Sequence, residues 1–203
     1  MYSQNKEQEV ILDFFKDKKD ITLADFGAND GKTFSNSLAL IERGAKATLV
    51  EPSRLAFEKL QLLHKGNENV LCLNVAAGSE IGTMMLFESG SHLPDQSDVA
   101  LLSSLDESET ERWKKQGVKF DNYHVDVVPV EALMFRDYDF ITIDCEGKDI
   151  EILKQIDLTN VQLLCIEWNS EPINKLLILE YCANFNMDKI IYESGENLIL
   201  CKK

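Results

Sequence analysis

The sequence predicts an α/β chain of Rossmann-like type, a mostly parallel sheet with helices on both faces. Three observations carry that expectation. Apolar runs of strand length alternate with stretches of helical spacing, from 21–24 through 45–50 and 70–76 to 139–144 and 161–167. A glycine loop, Asp25-Phe26-Gly27-Ala28-Asn29-Asp30-Gly31, directly follows the first run. An acid, Glu51, closes the second run, where a Rossmann-type fold accepts two hydrogen bonds from ribose hydroxyls.

In chain order, a helix is expected over about residues 5–18, where Val10, Ile11, Phe14 and Phe15 recur at helical spacing. After the first strand, residues 32–41 carry apolar residues at helical spacing and read as a helix starting at Gly31 and ending at Arg43-Gly44. Gly27 permits a sharp turn, and Gly31 lets the helix start close to a ligand. Glu51-Pro52-Ser53 leads into a further helix with Leu55, Phe57, Leu60, Leu62 and Leu63, stopping near Gly66-Asn67.

The alternation then breaks. Residues 82–87 and 123–128 read as extra strands around a polar stretch, 88–122, rich in Ser, Asp and Glu. The segment from about 82 to 128 is expected to face a substrate, because long loops in compact α/β domains are more often functional than accidental. A solvated insertion is the alternative. Regular alternation resumes with a helix at 149–154, a helix at 173–185 after Pro172, and a closing hairpin about Ser194-Gly195-Glu196-Asn197. The 203 residues suit one domain with a core on both faces of the sheet.

Composition narrows the partners. Thirty-five acids against 21 bases give a net charge of -14, which repels DNA and RNA. The one basic run, Arg112-Trp113-Lys114-Lys115, sits beside Glu107, Glu109 and Glu111. No apolar run approaches the roughly 20 residues of a membrane span, and the polar N-terminus lacks a signal-peptide core. A cytoplasmic protein is expected. The five cysteines (Cys72, Cys145, Cys165, Cys182 and Cys201) are odd in number and lack CxxC spacing, so they read as buried reduced thiols.

The acid at the head of the glycine loop selects the ligand class. Asp25 at a strand end opposes a pyrophosphate and so argues against a dinucleotide. It suits a ligand with a positive centre, such as the ammonium and sulfonium of S-adenosylmethionine.

Further motifs follow in order: Glu51-Pro52-Ser53, Asn74-Val75-Ala76-Ala77-Gly78, Ser103-Ser104-Leu105, Ile143-Asp144-Cys145-Glu146-Gly147-Lys148-Asp149 and Ile166-Glu167-Trp168-Asn169. With the glycine loop they resemble the FkbM-type S-adenosylmethionine-dependent methyltransferases, over about residues 21–169. The Asp-x-Glu-Gly stretch is the most family-specific piece. The resemblance implies a class I methyltransferase fold, with a seven-stranded, mostly parallel sheet and an antiparallel strand from the C-terminal hairpin. It also implies O-methylation of a hydroxyl, usually on a sugar or polyketide-like molecule. Carried over by position, Asp25, Gly27, Asn29 and Gly31 hold the methionine end of the cofactor, and Ala28, Thr33 and Asp144 are further expected cofactor contacts. Glu51, Pro52 and Ser53 hold its ribose, and Asn74 and Ala76 lie by the adenine. Asn74 capping a turn is an equal alternative.

Methyl transfer to oxygen needs an in-line approach and removal of the hydroxyl proton. An ordinary carboxylate, with a pKa of about 3.9, is a weak base for an alcohol. Three remedies are open. Burial raises the pKa of Asp144 or Glu146; a histidine serves, with His92 and His124 as candidates; or Mg²⁺ or Mn²⁺ lowers the pKa of the hydroxyl. Asp144, Glu167 and Asn169, at neighbouring strand ends, offer the hard oxygen ligands such an ion takes. Asp149 and Glu151 read as acids at a helix N-terminus, His64 as an exposed helix end, and Ser103 and Ser104 as acceptor contacts or loop serines. The expected acceptor is a glycan or small-molecule hydroxyl; a non-sugar natural product is the alternative acceptor, and a non-catalytic cofactor-binding or scaffolding module the alternative of another class. Membership of a larger glycan-processing protein is left open.

Overall fold

The computed structural model describes residues 1–90 and 100–203. Helix α1 (Glu7–Phe14) opens the chain inside the expected span and is followed by β1 (Thr22–Phe26). The expected helix at Gly31 does not form there; α2 (Leu38–Glu42) starts only at Leu38. Local side-chain bonds hold the intervening residues in an irregular loop. Asp30 accepts hydrogen bonds from the backbone N–H of Lys32 and Thr33 and from the Thr33 hydroxyl, while Ser35 Oγ accepts from the N–H of Ser37 and Leu38. These bonds compete with helical ones, and the spacing of apolar residues cannot register them.

Strand β2 (Lys46–Val50) and helix α3 (Arg54–Leu63) follow as expected. Ser53 caps α3, its hydroxyl accepting from Ala56 N at 3.1 Å. The third strand divides. β3 (Val70–Leu73) joins the main sheet, whereas β4 (Ala76–Gly78) leaves it for a second, small sheet. The break falls at Asn74, whose amide donates to the carbonyls of Glu51 and Pro52 and pins the chain.

The interrupted region contains β5 (Gly82–Ser89), α4 (Glu107–Lys114) and β6 (Phe120–Pro129). β5 and β6 pair antiparallel along their length, and β4 adds parallel to β6. The polar stretch therefore carries a helix of its own. After α5 (Val130–Leu133) come β7 (Phe140–Ile143), α6 (Asp149–Leu153), β8 (Leu163–Glu167), α7 (Pro172–Ala183), β9 (Lys189–Glu193) and β10 (Asn197–Cys201).

The main sheet has seven strands in the order β3-β2-β1-β7-β8-β10-β9. β10 lies antiparallel between β8 and β9, and the pairings from β3 to β8 are parallel. Alternating side chains feed two cores. Leu23, Leu49, Phe140 and Ile199 pack with Ile11 of α1, Leu40 and Ile41 of α2 and Leu60 of α3. Phe26, Ile141, Ile143, Leu164 and Leu198 pack on the other face with Val130 and Leu133, Ile152 and Leu153, and Ile178 and Cys182, from α5, α6 and α7. Each fully buried aliphatic side chain of this kind contributes about 1.5–3 kcal/mol, and both faces are used. The strand order reverses between β1 and β7. That reversal opens a crevice at their carboxyl ends, where open α/β sheets bind ligands.

Candidate active site

Two close approaches shape the crevice. Gly27 has φ +87, and a Cβ there would lie 1.7 Å from the carbonyl oxygen of Asp144, so only glycine lets the end of β1 pass the end of β7. Beyond β7, both oxygens of Asp149 are used to hold the next turn: Oδ1 accepts from Cys145 N at 2.7 Å and Oδ2 from Gly147 N at 3.2 Å. Within that turn Glu146 sits at φ 47, a left-handed conformation uncommon outside glycine. Ser104, from the interrupted segment, donates to the Glu146 carbonyl at 2.8 Å.

A cavity of about 420 Å³ lies above these strand ends, within the range of small-molecule sites. Of the residues selected from sequence, Asp25, Gly27, Ala28, Asn29, Thr33, Glu51, Pro52, Ala76, Asp144, Glu146, Glu167 and Asn169 line it. Gly31, Ser53 and Asn74 do not. A Cβ on Gly31 would meet Leu60 Cδ1 at 2.5 Å, so its work is to let the loop pack on α3. Ser53 is the cap of α3 and donates to Glu88 Oε1 at 2.6 Å. Asn74 is the turn pin already described. His92 lies outside the described residues. His124 is exposed on β6 opposite Met85 and does not line the cavity. His64, expected at an exposed helix end, is buried with its Nε2 unpartnered, because the loop at Gly31 covers it. Ser103 lines the cavity, while Ser104 is buried beneath it.

The loop before α2 supplies residues that sequence reasoning missed. Ser37 Oγ donates to Asp25 Oδ2 at 2.6 Å. Asn36 and Phe34 line the cavity, as do Leu86, Leu101, Leu105 and Trp113 from the interrupted segment. The carbonyl oxygens of the Asn29 and Asn36 side chains are buried with no hydrogen-bond partner. No periodicity marks such residues, because the loop is placed by its own turn bonds and by contacts distant in sequence.

The wall is strongly acidic. Burial pushes Asp25 up to about 6, against the pull of the Ser37 hydrogen bond. Burial also pushes Glu51 up to about 7, although its Oε1 accepts from Ser53 N at 2.7 Å and its Oε2 from Asn29 N at 2.8 Å; the charges of Asp25 and Glu88 add to the rise. Asp144 is raised by desolvation and by the charges of Asp149, Asp25 and Glu51. Glu167 is raised well above the usual carboxylate range by burial, then by Asp144, Asp149 and Glu146, with a hydrogen bond from Asn169 opposing. Such a wall favours a positively charged ligand.

The sheet order, the antiparallel β10 and a cavity at the strand reversal define a class I, Rossmann-like methyltransferase fold. Solved structures agree. Monomeric WbdD matches with a TM-score of 0.55 at 13% identity, covering 98% of this chain and 41% of that one. Precorrin-6y C5,15-methyltransferase from Geobacter metallireducens GS-15 matches at 0.51 and 10% identity, over 100% and 90%. The ribosomal protein L11 methylase from Lactobacillus delbrueckii subsp. bulgaricus matches at 0.52 and 11% identity, over 98% and 80%. At these identities the likeness is one of fold, and the chain spans less than half the length of WbdD. No curated protein matches the sequence. A family model of the methyltransferase FkbM domain matches residues 25–186. The chain belongs to the FkbM methyltransferase family, and that membership implies S-adenosylmethionine as cofactor. Among the described residues no helix is long and apolar enough to cross a membrane.

Proposed function

We propose that this chain is an S-adenosylmethionine-dependent O-methyltransferase acting on a hydroxyl of a sugar or glycan. The observation that carries the reading is the acidic cavity at the reversal between β1 and β7. It holds Asp25 and Glu51, both buried, beside Asp144, Glu146 and Glu167. The cavity suits the cofactor. Two buried amide oxygens, of Asn29 and Asn36, await a donor, and the carboxyl groups of Asp25 and Glu51 are buried in the same cavity. An ammonium group and ribose hydroxyls supply donors, and the ammonium and sulfonium supply charge.

On this reading Asp25, Gly27, Ala28, Asn29 and Thr33 hold the amino-acid end, Glu51 and Pro52 the ribose, and Ala76 borders the adenine. When bound, S-adenosylmethionine supplies an electrophilic methyl on sulfur and departs as a neutral thioether. The hydroxyl must lose its proton as its oxygen takes that methyl. Asp144 and Glu146 line the same cavity, and Asp144, raised toward neutrality by burial, is a better base than an ordinary carboxylate. A divalent cation among the carboxylates at the ends of β7 and β8 is the other route to the same proton. The segment from 82 to 128 borders the acceptor through Leu86, Leu101, Leu105 and Trp113. That apolar wall also favours a second reading of the acceptor, a hydroxyl on a non-sugar natural product.

The test is calorimetric titration with S-adenosylmethionine and S-adenosylhomocysteine, on wild type and Asp25→Asn, followed by a screen of sugar hydroxyls for turnover. Saturable binding weakened at least about tenfold by the substitution supports the cofactor site. A folded protein that binds neither ligand overturns the reading, and binding without turnover of any hydroxyl acceptor leaves a cofactor-binding module.

A further inference from the structure

We propose that Asp144, Glu146 and Glu167 form a binding site for one hard divalent cation, Mg²⁺ or Mn²⁺. The ligand set differs from the one expected from strand ends alone. Asp144 and Glu167 stay, Glu146 replaces Asn169, and Asn169 borders the same cavity.

Each of the three carboxylates offers one oxygen, and these oxygens lie within 4.8 Å of one another. Oxygens bound to one cation at about 2.1–2.5 Å stand at most about 4–5 Å apart, so the three oxygens are already at the spacing one ion spans. An acidic cluster by itself is no site, because exposed acids gather without metals. The second observation is Glu167. It is 8% exposed, lines the cavity, and its Oε2 has no hydrogen-bond partner. A buried carboxylate oxygen left without a donor costs free energy that a bound cation recovers.

The backbone supports the same geometry. Asp144 follows β7 and Glu167 ends β8, and these are adjacent parallel strands. Glu146 reaches the group through a left-handed turn at φ 47, and that turn is held by Asp149 from below and by Ser104 from the interrupted segment. Strained backbone braced by neighbours accompanies functional geometry. Lys148, the nearest lysine in sequence, borders the cavity, and its ammonium is paired with Glu151 at 3.2 Å. All-oxygen, all-carboxylate ligation selects a hard ion over zinc or copper. A cation here faces the cavity, so it can take the acceptor oxygen and lower the pKa of that hydroxyl. Only this use rests on the methyl-transfer reading; the cation site stands on the carboxylates.

The experiment is titration of the intact, metal-stripped protein with Mn²⁺, read by the loss of the free-ion electron paramagnetic resonance signal, with Mg²⁺ as competitor. Wild type, Glu146→Gln, Glu167→Gln and Glu180→Gln, an exposed site on α7, are compared. The expected result is one Mn²⁺ per chain, displaced by Mg²⁺ and weakened at least about tenfold in Glu146→Gln and in Glu167→Gln, with Glu180→Gln unchanged. Circular dichroism confirms that each variant is folded; should one fail to fold, Asp144→Asn takes its place. Absence of saturable Mn²⁺ binding by the wild type overturns the proposal, as does retention of full affinity by a folded variant of any of the three. S-adenosylhomocysteine binding is measured on the same samples. Binding of that ligand without Mn²⁺ removes the cation site alone, and Mn²⁺ binding without that ligand removes the methyltransferase reading alone.

Discussion

Glu51 couples the cavity to pH. Its carboxylate is buried, its two oxygens are held by Asn29 N and Ser53 N, and its pKa rises from 4.5 to about 7. The sign follows from proton counting. A carboxyl whose folded pKa is raised favours the folded state fully below its unfolded pKa, and that contribution is lost as pH rises through the folded pKa. The window therefore runs from the ordinary value near 4.5 to about 7. Integrated between about pH 5 and about pH 8, the loss is about 2–3 kcal/mol at ~1.4 kcal/mol per pKa unit. Glu51→Gln removes this titration. It also sets an amide NH₂ against one of the two backbone N–H groups, a pH-independent cost of about 1–2 kcal/mol. The slope against pH, and not the stability at one pH, is thus the decisive quantity. Urea denaturation of the cofactor-free protein at several pH values reads it. Wild type should lose about 2–3 kcal/mol more than Glu51→Gln across that range. Parallel curves for the two proteins would refute the assignment of a buried, uncompensated charge at Glu51.

Two further outcomes follow from packing. Gly27→Ala places a methyl 1.7 Å from the Asp144 carbonyl oxygen at φ +87. The left-handed backbone alone costs about 1–2 kcal/mol, and the overlap must open the β1–β7 crevice as well. Thermal unfolding should show a loss above about 3 kcal/mol, and calorimetry should show loss of cofactor binding; a near-neutral variant would mean the two strand ends are further apart than described. Ser53→Ala removes the cap of α3 and the 2.6 Å bond to Glu88. A cap of this type contributes about 1 kcal/mol, so the urea midpoint should fall accordingly while cofactor affinity stays within about twofold, since Ser53 does not line the cavity. A large loss of affinity instead would return Ser53 to the ribose.

Much of the site was legible because its acids sit at strand ends. Asp25, Glu51, Asp144 and Glu167 each close or follow an apolar run, and parallel strands bring such ends to one edge of the sheet. Loops were misread where side chains bond their own backbone. Residues 32–37 have helical spacing, yet Asp30 and Ser35 hold them out of a helix. The same blindness hid Asn36 and Ser37, which matter only because the loop folds back over Asp25. Val70–Ala76 read as one strand because apolarity does not reveal that Asn74 is tied to Glu51 and Pro52.

By itself, then, the sequence determined the alternation of strands and helices, the glycine that lets β1 end against β7, and the acids that close the strands. These are local properties: period, apolarity and the absence of a Cβ. Tertiary structure alone decided which acids meet. Glu146 joins Asp144 and Glu167 only because a left-handed turn, fastened by Asp149 and Ser104, swings it back toward a neighbouring strand. Burial likewise exists only once the chain has packed. It is burial, with the crowding of like charges, that raises these carboxyl groups above their ordinary range.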